Sequence, residues 1–198
     1  MIDFNFNIQG DEIIITLKTE ITEIGTFHKM VAVIYSMDWD IISGDIRTLE
    51  EQGKKYSLDM LKLKKEGKKK HVNPAELGLL MDTVFTNKGD LSEIYKSIKS
   101  KKLEPIKYFK SRSELIFEDN LQKQSTVFYI EAENGKGLLY YLTKVLMEYK
   151  IDIKDAVIET DPETQIAKDT FYLTDSNGNL FGKLPIAEEI RSKILKTL

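Results

Sequence analysis

Apolar and polar residues alternate from the first positions of the chain. Ile2, Phe4, Phe6 and Ile8 fall on one side, which predicts a strand over 2–8. Gln9-Gly10-Asp11 turns it, and Ile13, Ile15 and Leu17 predict a hairpin partner. A loop follows from Thr19 to Gly25. The period then changes: Phe27, Met30, Val31, Ile34 and Met37 recur at helical spacing. Trp39, Ile41, Ile42 and Ile46 predict a strand, Glu50 to Lys54 a turn, and Tyr56, Leu58, Met60, Leu61 and Leu63 the returning strand.

The same order recurs in the second half. Leu115-Ile116-Phe117 predicts a short strand, turned by Asn120 to Gln124, and Val127 to Ala132 predicts the next. A helix is expected from Gly137 to about Tyr149, with Leu138, Leu139, Leu142, Val145, Leu146 and Tyr149 on its apolar face. Ile151 to Thr160 and Thr170 to Leu173 flank an Asp161-Pro162-Glu163 turn, and a last helix starts near Pro185. Gly25 and Gly137 lie 112 positions apart. That offset pairs Phe27 with Leu139, Met30 with Leu142, Ile34 with Leu146, Asp40 with Asp152 and Ile46 with Ile158 without a gap. It slips by one in the first strand and in the second hairpin. The chain reads as an internal duplication of about ninety residues.

Between the halves, Asn73-Pro74-Ala75-Glu76 has the form of a helix start, with Pro at the first helical position. Leu77, Leu80, Met81, Val84 and Phe85 continue that helix; Asn87 to Asp90 breaks it, and Leu91, Ile94, Tyr95 and Ile98 begin another. The first half therefore carries an extra helix. Strand, helix, strand, strand, helix, with a preceding strand to close the sheet, predicts an α+β fold. Two ferredoxin-like units are expected, antiparallel sheets with helices on one face, over 1–110 and 111–198. The pre-strands 2–8 and 112–118 are expected to complete these sheets.

Composition narrows the function. The 198 residues are 41% hydrophobic and 31% charged, with a formal net charge of -3 and no cysteine. No global charge draws nucleic acid or an anionic membrane, and thiol chemistry is excluded. No apolar run spans a bilayer and no leader is visible at Met1, so a cytoplasmic protein is expected. The basic run Lys62 to His71 has no interleaved aromatic and reads as a solvated loop. Phe171 and Tyr172 could stack on bases, but the glycine-aromatic signature of an RNA-recognition strand is missing. His28 and His71 are the only histidines, and neither falls in a metal-ligand spacing. Nucleophile-elbow and phosphate-loop motifs are absent. The expectation is a chain that is not an enzyme, without catalytic residues, cofactor or metal.

Asn134-Gly135-Lys136-Gly137-Leu138-Leu139 follows the strand ending at Ala132 and opens a helix. Its glycines permit a tight turn, and the helix N-terminus offers free N–H groups to an anion. With Thr126 to Glu133 before it, Asp152 to Thr160 and Asp169 to Asp175 after it, this segment resembles the ACT domain, whose turn usually reads Asp-Arg-Pro-Gly-Leu-Leu. The strand Glu114 to Asn120 is similar to the segment before the last ACT domain of the PII uridylyltransferase/uridylyl-removing family, and plant ACT-repeat proteins share the arrangement. The resemblance covers about 112–198, and about 11–66 more weakly. It implies a regulatory, amino-acid-binding module connected with nitrogen metabolism. The family's ligand position carries over to Asn134, Gly135, Lys136, Gly137, Leu138 and Leu139, with Asp152 at the start of the next strand. In the first unit it falls on Gly25 and Thr26. Asn134, Gly135 and Lys136 replace the usual Asp, Arg and Pro, and the first turn, Thr22 to Phe27, keeps only the glycine and an apolar residue. The expected ligand is an amino acid, held mainly at the second turn. A homo-oligomer, as a homodimer, or a partner enzyme is also implied. An interaction or assembly module with degenerate ligand sites is the alternative.

Overall fold

The computed structural model describes residues 2–20, 22–65, 73–86, 91–101, 109 and 114–196. The basic run beyond Lys65, His71, the Asn87 to Asp90 break and the boundary near 110 lie outside the described residues. The first unit holds β1 (Ile2–Gln9), β2 (Glu12–Thr19), α1 (Thr26–Ser36), β3 (Trp39–Glu51), β4 (Lys54–Lys65), α2 (Pro74–Thr86) and α3 (Ser92–Lys99). The second holds β5 (Glu114–Asn120), β6 (Ser125–Glu133), α4 (Leu138–Glu148), β7 (Asp152–Glu159), β8 (Ile166–Thr174) and α5 (Pro185–Lys196).

All eight strands form one sheet in the order β1-β2-β4-β3-β7-β8-β6-β5. The pre-strands close their own units: β1 pairs with β2 and β5 with β6. The two units meet where β3 and β7 pair antiparallel, from Ser43 opposite Glu159 to Arg47 opposite Asp155. The fold is α+β, two ferredoxin-like units side by side.

The duplication is kept in backbone detail. The bounds of α1 and α4 differ by the same offset at both ends. Gly25 (φ 89) and Gly137 (φ 98) both take the left-handed region before their helices. Asp38 and Lys150, equivalent positions, both have positive φ after them. Each following strand bulges at the equivalent position, between Ile41 and Ser43 and between Ile153 and Asp155. The hairpins differ by two: Gly44 pairs with Leu61, whereas its equivalent Ala156 pairs with Phe171, not Leu173.

Strand period and burial agree. Ile13, Ile15 and Leu17 of β2, Leu61 and Leu63 of β4, Phe128 and Ile130 of β6, and Phe171 and Leu173 of β8 are all at most 1% exposed. They form one core with the apolar faces of α1 and α4. Fully burying each such side chain contributes roughly 1.5–3 kcal/mol. Helix packs on helix across the junction: the rings of Tyr35 and Tyr140 stack at 5.2 Å.

Candidate functional site

The path of the chain decides what each glycine turn faces. In the first unit β2 runs to the turn, α1 runs back, and β3 runs forward again. The N-terminus of α1 therefore lies at the end of β3. Because β7 is antiparallel to β3, the start of β7 reaches this same end. Asp152 thus meets the Gly25 turn of the other unit, and not the Gly137 turn of its own. By the same crossing, Asp40 and Ile41 at the start of β3 lie beside the Gly137 turn.

Two cavities result. The first is about 120 Å³. Its roof is Glu23, Gly25, Thr26 and His28 at the start of α1. Its floor is Ile46 and Thr48 of β3 with Lys55 and Ser57 of β4. Thr143 and Met147 of α4, with Asp152 and Lys154 of β7, close it from the second unit. The second cavity is only about 20 Å³ and holds Asn134, Gly135, Gly137, Leu138 and Leu139 opposite Tyr35, Trp39 and Asp40. Since one water needs about 10–15 Å³, the second has room for a single water and the first for a small organic molecule.

Lys136 at the second turn bonds the Asp38 carboxylate at 2.9 Å, and Lys101 bonds the same oxygen at 2.7 Å. Burial pushes the Asp38 carboxyl up, but hydrogen bonds from Lys101 and Lys136 outweigh it and hold it below the usual carboxylate range. At the first turn the equivalent residues are Ile24 and Lys150, so no such bridge is possible there.

At the first cavity the start of α1 is left without a cap and the Thr26 hydroxyl without a partner among the described residues. No side chain caps α1, and its first turn carries no acidic residue. Thr26 N donates to Glu23 O at 3.0 Å. The N–H groups of Phe27 and His28 lie among the four that an α-helix leaves without intrahelical acceptors. The Thr26 hydroxyl is buried and has no hydrogen-bond partner among the described residues, although Thr26 is only 8% exposed. Facing it, Asp152 Oδ2 accepts from Lys154 Nζ at 2.7 Å. The wall between the units is pinned by Thr48, whose N–H donates to Asp155 Oδ1 at 3.0 Å and whose hydroxyl donates to Lys154 O at 2.5 Å.

His28 is buried behind this wall. Thr143 gives its only hydroxyl proton to Leu139 O at 2.7 Å, so its oxygen accepts from His28 Nδ1–H at 3.0 Å. His28 Nε2 then accepts the Tyr95 hydroxyl at 3.1 Å. Burial, helped by the charge of Lys144, lowers the imidazole to about 4 and keeps it neutral. The ring is a fixed polar strut between α1, α4 and α3.

Ser57 and Asp59 share the inward face of β4, and Asp59 accepts the Ser57 hydroxyl at 2.6 Å. The equivalent pair on β8 is Ala167 and Asp169, both lining the second cavity. Burial pushes Asp59 up to about 7 against the Ser57 hydrogen bond. Burial also raises Asp169 to about 7, against a hydrogen bond from Glu159 N–H. Sequence reading missed this pair. Its signal was an acidic residue on the apolar side of each strand's alternation, at Ser57-Leu58-Asp59-Met60-Leu61 and Ala167-Lys168-Asp169-Thr170-Phe171.

Among the residues expected from sequence, Gly25, Thr26 and Asp152 line the first cavity. Asn134, Gly135, Gly137, Leu138 and Leu139 line the second, and Lys136 of the same turn pairs with Asp38. The expected juxtaposition of Asn134 to Leu139 with Asp152 is not formed. Asp152 is exchanged to the other turn by the antiparallel β3–β7 junction. Among the described residues no cluster of three or more His, Asp and Glu side chains could hold a metal ion, and no helix is long and apolar enough to cross a membrane.

No known family's sequence profile matches the chain. Among solved structures it is similar to the crystal structure of aspartate kinase from Synechocystis, with a TM-score of 0.50 and 14% identity over 95% of this chain. That match spans 27% of the kinase. At this identity the likeness concerns the fold, and it supports the ACT-like architecture of two α+β units in one sheet.

Proposed function

We propose that the chain is a regulatory module that binds a free amino acid between its two ACT units, in the cavity beside Gly25. The supporting observation is the uncapped start of α1 with the unpartnered Thr26 hydroxyl, set across from Asp152 of the other unit. A carboxylate suits the helix N–H groups and Thr26, and an ammonium suits Asp152. Such a ligand touches both units and so favours their present arrangement over any other. The similarity of Glu114 to Asn120 to the segment before the last ACT domain of the PII uridylyltransferase family supports nitrogen metabolism as the proposed setting, with a partner enzyme as the regulated object. The test is calorimetric titration of the whole chain with each common amino acid. Saturable binding of one or a few of them, weakened by Thr26→Val and by Asp152→Asn, is expected.

The second reading is an assembly module with degenerate sites. The small volume of the second cavity, about 20 Å³, and the Lys136–Asp38–Lys101 bridge at its turn favour it. Absence of binding for every amino acid at millimolar concentration would select this reading instead.

A further inference from the structure

The polar side chains inside the Gly25 cavity are already occupied, with one exception. Ser57 donates its hydroxyl proton to Asp59. Thr48 donates to Lys154 O, and Thr143 to Leu139 O. His28 uses both ring nitrogens, on Thr143 and Tyr95. The exception is the buried Thr26 hydroxyl, which stands with the α1 N–H groups that suit a carboxylate. No other hydroxyl or imidazole proton in the cavity is free to meet a carbonyl or carboxylate on a ligand's side chain.

The charges around the cavity cancel. Glu23 and Asp152 stand against Lys55 and Lys154. Lys154 bonds Asp152, and Lys55, exposed at the mouth, lies opposite Glu50 in the β3–β4 register. A zwitterion with an uncharged side chain matches that balance. The rest of the wall is apolar: Phe27, Ile46, Met147, Ile151 and Ile153. The duplication shows what sets its size. By the offset of the two glycines, Met147 stands where the first unit has Tyr35, and Ile151 where it has Trp39. The two bulky rings line the cavity of about 20 Å³, and the thinner, flexible Met147 lines that of about 120 Å³. At about 10–15 Å³ for each water-sized group, the larger cavity admits roughly eight to twelve of them. Leucine, isoleucine and methionine fall within that range, and tryptophan exceeds it.

Resting on the amino-acid reading of this cavity, we infer that its ligand carries an uncharged aliphatic side chain of about leucine's size. The side chain is seated against Ile46, Met147, Ile151 and Ile153, and Met147 sets the upper limit on its size. Met147 is placed for this, because its thioether lies along the Gly25 turn, 3.0 Å from where a Cβ at Gly25 would be. A polar side chain of the same shape would lose its water and find no donor in return, which disfavours it.

Calorimetric titration of the whole chain with leucine, asparagine and aspartate tests this, because the three side chains share length and branching and differ in polarity. Leucine is expected to bind at least about tenfold more tightly than either of the others. Met147→Ala should shift the preference between leucine and phenylalanine about tenfold toward phenylalanine. Met147→Tyr, which copies the second cavity into the first, should abolish leucine binding with circular dichroism unchanged. Asparagine or aspartate binding as tightly as leucine or more so, or an unchanged leucine-to-phenylalanine ratio in Met147→Ala, overturns the inference while leaving an amino acid bound. Absence of binding for every amino acid overturns the proposed function itself, and the inference with it.

Discussion

Thr26 carries a buried hydroxyl that finds no partner within the chain, at a helix start that nothing caps. Thr26→Val should weaken ligand binding by about tenfold, the worth of one hydrogen bond to a charged group. It should leave the urea midpoint unchanged or slightly higher, since an unpaired polar atom is replaced by a methyl. Gly25 has φ 89, and a Cβ there would lie 3.0 Å from Met147 Sδ. Gly25→Val should strain the turn and fill the cavity, abolishing binding, whereas the sequence placed the ligand mainly at the second turn, that of Gly137. The two buried carboxylates set a pH dependence. Each is raised from 3.8 to about 7 in the folded chain. Between these values the folded state holds a proton that the unfolded state has released, so stability falls as pH rises. His28, lowered from 6.5 to about 4, acts in the opposite sense and loses stability as pH falls through that range. Asp169→Asn should therefore remove one falling contribution, with a slope of about 1.4 kcal/mol per pH unit at most. Urea midpoints of wild type and variant between pH 4 and 7 should converge toward the acid end.

At the level of elements, the apolar periods located the five helices and eight strands found among the described residues, because burial on one face determines where each sits. Phe27, Met30 and Ile34 sit on α1 as their spacing required, and the offset from Gly25 to Gly137 recovered α4 residue for residue. Gly78 was not legible. Within α2 it looks like a cost of about 1 kcal/mol relative to Ala. Its reason is tertiary: a Cβ there would lie 2.7 Å from Phe4 Cδ1, so the glycine lets α2 rest on the β1 edge strand. Gly78→Val should lift α2 from β1. Hydrogen exchange should then show faster exchange of β1 amides, with β6 and β8 protected as before.

Across the whole molecule, the sequence showed two units and their closing strands but not how they cross. Local patterns report what each segment buries, and the β3–β7 pairing is a contact between equivalent strands that leaves no periodic mark. Asp152 was therefore assigned to the Gly137 turn of its own repeat, and the larger cavity at Gly25 went unnoticed. The account now rests on one cavity that needs both units. The most direct measurement is amide chemical-shift mapping of the labelled chain during titration with the amino acid that binds in calorimetry. Shifts are predicted at Thr26, Phe27 and His28 of α1 together with Asp152, Ile153 and Lys154 of β7, saturating on one curve. Shifts confined to Asn134 to Leu139, or absent from the start of β7, would contradict it.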